Sequence, residues 1–556
     1  MPDFKKVFFK EKKIIRLFII VFFVVVLIIG LAVYDDYGIS FDEPIQRQHS
    51  LINYEYINEK VFGREISYIK NLNLPSLEGY TFNFYNMAMQ VPLVFIENLN
   101  HFAMSTRDIF LMRHLFTFLI YFCALICFFF LCRDLFKKEW LALAGTAMLF
   151  LFPRFFAQSF YNIKDMVFIA LFIIALFLMI KLLIKKRRIL WCVLFAVALA
   201  FSTNTRFIGA VLLPVLFVAM ILEDVAGPFF KNRELAEDIS AYNGKFSLTK
   251  RMLPYILVPA VFIATYIFIT PASWNDPLHY IKSTFTEFSD YSYWDGTMVF
   301  AGNLVTSAER PWYYIPVWMG ITIPVFYIAM FFPGAVILVK NTLKKRFAGF
   351  FKDRYVWLAF FLFLIPLLAL IATHTTIYLG WRHVFFLFVP FVLIAAYGVG
   401  GLQDIFSNMK LKFGKWILPV VTIAALAVGA GRIIVNHPYQ FDMFNAIGIP
   451  MASQFDRDYW SLTGVDMTKY ILTNYEGDVK IHFRTNDILE MLSPGEKGRI
   501  KMIGWDQKDD ADFILNDFRN KTGNEFEVPG FTEIYSIWQD GYKIAQILKN
   551  DNFNPS

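Results

Sequence analysis

What most constrains this chain is the number of its segments that cannot be left in water. Apolar runs fall at about 14–34, 108–132, 139–152, 166–184, 189–203, 206–222, 252–270, 314–339, 355–373, 383–402 and 416–434. A helix of about 20 apolar residues crosses the hydrocarbon layer of a bilayer, where every backbone amide must be satisfied within the segment itself. The sequence therefore predicts a polytopic α-helical membrane protein with about 11 transmembrane helices, the short runs around 139–152 and 189–222 being the weakest of the set. Composition agrees: 57% of the 556 residues are hydrophobic and 18% are charged, which excludes an ordinary soluble enzyme. The first run is too long for a cleaved leader and lacks a small-residue cleavage site, so it reads as a retained anchor.

Lysine and arginine set the orientation, because cytoplasmic connections carry the positive excess. With the N-terminus inside, the inward segments hold 28 basic residues and the short outward connections "PRFFAQSFYNIKD", "STNTR" and "HTTIYLGWRH" hold 4. The same clusters account for the net charge of +7, so it signals topology rather than nucleic-acid binding. Residues 1–434 then form a membrane domain with outward loops 35–107 and 271–313, and 435–556 form a small extracytoplasmic α/β domain. Within that tail, Asp540-Gly541 between alternating segments predicts a hairpin. The four cysteines, Cys123, Cys127, Cys132 and Cys192, lie in or beside apolar runs and indicate no disulfide framework.

The first run ends in "YDDYGISFDEPIQRQH", which places Asp42 and Glu43 at the membrane edge. Carboxylates there are costly unless solvated or used. Pro44 behind them is also a helix start, where acids favour the dipole, so capping competes with function. Asp165 stands in the same position before another run, with the same two readings. On this face the basic groups Lys164, Arg206, Arg382 and His383 collect with Trp312 and Trp381, and the cations among them run against the positive-inside bias. A guanidinium such as that of Arg382 can hold a phosphate through two hydrogen bonds, or it can snorkel to the interface. Trp381 and Trp312 fit an interfacial belt. A divalent cation at Asp42, Glu43 or Asp165 is compatible with the residues, but the histidines show no metal-ligand spacing. No Ser-His-Asp signature, Walker loop or dinucleotide glycine pattern is present.

Five segments, "SFDEP", "PRFFAQSFYNIKD", "ERPWYYIPVWMGITIPV", "YLGWRH" and "NHPYQFDMFN…DYW", resemble in order and topology the protein O-mannosyltransferase-like family. These are glycosyltransferases of the multi-spanning C-type fold that depend on a phospholipid carrier, and the resemblance covers about residues 14–460. It implies Asp42 as catalytic base with Glu43 beside it, Asp165 as the acid of the second loop, and Arg382 as a ligand of the carrier phosphate. His383, Lys164, Arg206, Trp381 and Trp312 join Arg382 as candidate substrate-binding residues. The donor expected is a polyprenyl-phosphate-linked sugar, the acceptor a hydroxyl of a glycan, lipid or protein, and the outcome inversion. No loop fits the β-trefoil insert of eukaryotic protein mannosyltransferases, which favours a bacterial inner membrane with a cytoplasmic N-terminus.

The chemistry agrees with that resemblance. Such a donor already has a good leaving group, so the enzyme needs mainly a base for the acceptor proton and cations for the departing phosphate. Loop 271–313 is expected to help exclude water. A transporter or flippase of an anionic lipid would also need outward cations and membrane carboxylates, but the spans carry no midplane ionisable residues or inverted repeat.

Overall fold

A computed structural model describes residues 4–554 apart from 86, 101–102, 186, 227–247, 290–293, 295, 346 and 410–412. Among the described residues, eight helices are long and apolar enough to cross a membrane: Ile14–Val33, Thr106–Phe136, Asp165–Ile184, Phe207–Val225, Val325–Lys344, Arg354–Ala372, Arg382–Asn408 and Gly414–Val435. Glu139–Phe150 and Pro153–Tyr161, bent by 64°, give a ninth if they are one broken span, and Ile189–Thr205 and Met252–Phe268 are shorter apolar helices. All eleven predicted runs thus contain helix, and the protein is integral to a membrane. The first helix exposes Leu17, Phe18, Val24, Ile28 and Leu31, as a lipid-facing anchor should.

Two breaks depart from the predicted runs, and proline causes both. The run 314–339 splits into Tyr314–Thr322 and Val325–Lys345, with Ile323 extended before Pro324. The residue before a proline is pushed out of the helical region, so the helix stops there. At Phe152-Pro153 the chain turns again, and "PRFFAQSFY", expected to be an outward connection, forms a helix buried along its whole length. The Arg154 side chain in it lies over the faces of Trp318 and Phe444, at 5.4 and 5.7 Å.

Helices Val325–Lys345 and Phe388–Asn408 cross at glycines. A β-carbon on Gly398 would overlap the Met330 carbonyl, and one on Gly334 would overlap that of Ile394. Small residues let backbones approach where no hydrophobic force drives helices together. Gly398→Val is therefore expected to lower stability by about 1–3 kcal/mol through overpacking, read as a drop in the melting temperature of the detergent-solubilised protein.

Strands β1 (Thr297–Phe300) and β2 (Asn303–Thr306) pair in the loop 271–313. The tail builds a five-stranded mixed sheet from β3 (Val479–His482), β4 (Ile500–Ile503), β5 (Phe513–Asn516), β6 (Phe531–Gln539) and β7 (Tyr542–Asn550), in the order β4-β3-β5-β7-β6. β3 runs parallel to both β4 and β5, and β7 runs antiparallel to β5 and β6. The predicted hairpin joins β6 to β7, with φ of 47° at Asp540 and 89° at Gly541, the left-handed pair that matches strand twist. One continuous apolar core runs from membrane-helix residues such as Phe128 and Phe388 through Phe441 and Trp460 to Phe513 and Ile547 of the sheet.

Candidate active site

Asp42 flanks helix Glu43–Ile57 and has helical φ/ψ, yet its side chain caps nothing. Glu43 does the local work instead. Its Oε2 accepts from the Ser40 amide at 2.7 Å and the Ser40 hydroxyl at 3.0 Å, and its Oε1 lies 2.8 Å from Nε2 of buried His114. The two adjacent acids therefore divide: Glu43 is fixed in the fold and Asp42 is left to face outward.

Asp42 faces Arg382, 340 residues away. Nη1 of Arg382 donates to Oδ2 of Asp42 at 2.9 Å, with the arginine side chain 5% exposed and the carboxylate 29% exposed. The turn that delivers Arg382 needs left-handed backbone at Leu379 and Gly380, with φ of 54° and 75°. Aromatic faces hold the guanidinium, Trp460 at 4.5 Å and Tyr378 at 5.4 Å, while its buried Nε has no partner. Trp294 of loop 271–313 stacks on Tyr378 at 4.2 Å, and the His383 ring meets Tyr378 edge-on at 4.4 Å.

A second ion pair stands beside the first. Oδ1 of Asp165 accepts from Nε of Arg206 at 2.6 Å and from its Nη2, and Oδ2 accepts from Asn162 at 3.1 Å. Asp165 is 2% exposed, so this carboxylate is locked, unlike that of Asp42. Lys164 lies between the pairs, its ammonium 3.4 Å from the centre of the Tyr85 ring. Desolvation, reinforced by the Arg206 charge, holds that ammonium well below the usual lysine range.

The structure thus unites Asp42, Asp165, Lys164, Arg206, Arg382 and His383, and separates the tryptophans. Trp381 is 1% exposed, donates from Nε1 to the Thr322 hydroxyl at 3.0 Å and packs on Phe385, which is a core position and not an interfacial belt. Trp312 is 65% exposed with only Tyr313 against its ring among the described contacts, as a belt residue would be. The carboxylates nominated for a cation do not converge on one. Glu43 and Asp165 are engaged as described, and among the described residues no group of three or more His, Cys, Asp or Glu side chains could hold a metal ion.

Sequence reading assigned no role to the tail residues that roof this site. Phe41 donates its amide to the Trp460 carbonyl at 3.3 Å, and the Arg519 guanidinium lies 4.8 Å from the Phe41 ring. Arg484 pairs with Asp517 at 2.8 Å, and Asp517 also accepts from Ser461 at 2.7 Å. The dense "FDRDYW" at 455–460 is the only signal that would have drawn attention here.

Behind Trp460, Asp442, Asp456 and Asp458 are fully buried. Asp442 accepts from the Asp458 amide and leaves Oδ1 unpartnered. Burial pushes Asp456 up to about 6, and it raises Asp442 and Asp458 as well, each carboxylate opposing its neighbour's charge. Between the ordinary carboxylate range near 4 and these raised values, the folded state binds more protons than the unfolded chain. The stability these three groups contribute is present below about pH 4 and is lost as pH rises through about 6. Asp442→Asn should flatten that decline, measured as melting temperature between pH 4 and 7.5.

Residues 106–236 match the family described as dolichyl-phosphate-mannose-protein mannosyltransferase. The match spans this stretch alone, under a quarter of the chain. The resemblance read from the sequence is borne out, and a glycosyltransferase is favoured over a transporter. The matched stretch includes Lys164, Asp165 and Arg206, while Asp42 and Arg382 lie on either side of it. Comparison with curated proteins finds no match. Among solved structures, ArnT from Cupriavidus metallidurans bound to undecaprenyl phosphate is similar with a TM-score of 0.44 and 12% identity, over 95% of this chain and 97% of that one. Its apo state gives 0.41 and 12% over the same shares.

Proposed function

We propose that the chain is an integral-membrane glycosyltransferase of the C-type fold that moves a sugar from a polyprenyl-phosphate carrier to an acceptor hydroxyl on the extracytoplasmic face of a bacterial inner membrane. The N-terminus is cytoplasmic, and the tail from 435 lies outside with the site. The observation that carries the reading is the Asp42–Arg382 pair, in which an accessible carboxylate and a buried, aromatic-backed guanidinium meet where the first helix leaves the membrane.

The carrier tail stays in the bilayer, which brings the donor phosphate to the level of Arg382. The phosphate then competes with Asp42 for the guanidinium, and its binding frees a carboxylate oxygen. Asp42 accepts the acceptor's hydroxyl proton as that oxygen attacks the anomeric carbon from the face opposite the leaving group. The C–O bond to the carrier breaks with its electron pair, polyprenyl phosphate departs, and Arg382 holds the charge that develops. Direct displacement inverts the anomeric centre. Asp165 keeps Arg206 and Lys164 in register, Glu43 fixes the segment bearing Asp42, and the Trp294–Tyr378 stack lies where a cover against water would sit.

Membranes containing the protein, supplied with radiolabelled polyprenyl-phosphate sugars, test this reading. Label should pass from carrier to an acceptor fraction. Movement of intact labelled lipid between leaflets, with no transfer, would establish the flippase instead.

A further inference from the structure

One guanidinium near Asp42 has no ion-pair partner of its own among the described residues. Arg382 is matched by Asp42, Arg206 by Asp165 and Arg484 by Asp517. Arg519 has no carboxylate within ion-pair distance among the described residues, and its buried Nε has no hydrogen-bond partner. Burial and the charges of Arg484 and Arg382 oppose its own charge, which Asp517 and Asp456 favour from beyond ion-pair distance.

Backbone strain shows that this placement is imposed. Phe518 and Asn520, on either side of Arg519, have φ of 51° and 59°. A left-handed aromatic residue is an outlier that persists only when its surroundings over-determine it. They do here: Asp517 takes the Arg519 amide at 3.2 Å, Asp456 takes the Asn520 amide at 2.9 Å, Arg484 donates to the Arg519 carbonyl at 3.2 Å, and Arg457 lies 4.6 Å from the Phe518 ring. Topology adds a second argument. Arg484 follows β3 and Arg519 follows β5, adjacent parallel strands, so both emerge at the carboxyl edge where open parallel sheets bind their ligands. That edge meets Phe41, the residue before Asp42.

We propose that Arg519 is a further substrate-binding residue, a second guanidinium for the donor's phosphate, so that the C-terminal sheet completes the active site; this rests on the transferase reading above. The donor is a phosphodiester with one negative charge, and the departing polyprenyl phosphate carries up to two. An unpaired guanidinium beside Arg382 therefore favours the leaving group over the bound donor, which is the direction catalysis needs. Arg519 supplies charge to the phosphate and takes no proton.

Binding of polyprenyl phosphate, with neutral polyprenol as control, tests the assignment on the full-length protein. Arg519→Gln should weaken polyprenyl phosphate binding by about 10- to 100-fold, the loss expected for one charge-assisted hydrogen bond, and leave polyprenol unaffected. Arg519→Lys should recover part of the loss. Should Arg519→Gln not fold, wild-type protein still answers: saturating polyprenyl phosphate, and not polyprenol, should shield Arg519 from an arginine-selective dicarbonyl reagent, read by mass spectrometry. Unchanged binding in Arg519→Gln, or equal labelling with and without lipid phosphate, overturns this role alone. Wild-type protein that binds no polyprenyl phosphate overturns the transferase reading with it.

Discussion

Asp42→Asn should lower the transfer rate by about 10²- to 10⁴-fold, the usual contribution of a positioned general base. The change is nearly isosteric. The amide oxygen that replaces Oδ2 of Asp42 can still accept from Nη1 of Arg382, and Glu43 continues to hold Ser40 and His114, so the local fold should persist. What disappears is a group able to take the acceptor proton. Glu43→Gln is the informative contrast. Because Glu43 is buried and engaged on both oxygens, its replacement should show first as lost stability, with turnover following the folded fraction. Initial rates in matched membranes, normalised to folded protein, separate the two.

Arg382→Ala should have the other large effect. Truncating one member of a hydrogen-bonded charge pair whose guanidinium is buried costs about 2–5 kcal/mol, which corresponds to roughly 30- to 5,000-fold in kcat/KM for the lipid donor. The loss should fall on both parameters. A guanidinium that meets the phosphate in the ground state also holds the charge that grows as the carrier leaves. Arg382→Lys should not restore the wild type, because a lysine cannot reproduce the planar contacts to Trp460 and Tyr378 or a forked grip on phosphate. Steady-state kinetics over a range of donor concentrations read this directly.

The membrane helices were legible because the bilayer imposes its signal residue by residue, and every predicted run contains helix. Asp540-Gly541 was legible for a local reason, a turn geometry that few residue pairs accept. Asp42, Asp165 and Arg382 were found because topology alone sends them to one face. What sequence could not show is which acid would stay accessible beside Arg382. Glu43 and Asp165 are taken by His114 and Arg206, partners 71 and 41 residues away in sequence. Trp381 was misread because an aromatic at the end of an apolar run suits a belt, whereas its partner Thr322 enters from the helix that Pro324 ends. The tail's share was hidden more deeply. Arg484 and Arg519 converge only because β3 and β5 pair in parallel, and parallel pairing is a non-local event that leaves no period in the chain.

The measurement that tests the central claim most directly is the affinity of polyprenyl phosphate for wild type and Asp42→Asn, taken alongside their transfer rates. If Asp42 is the base and gives up Arg382 to the incoming phosphate, Asp42→Asn should bind polyprenyl phosphate at least as tightly as wild type while transferring almost no sugar. If Asp42→Asn loses lipid binding in step with turnover, Asp42 serves only to hold Arg382, and the base must be sought elsewhere.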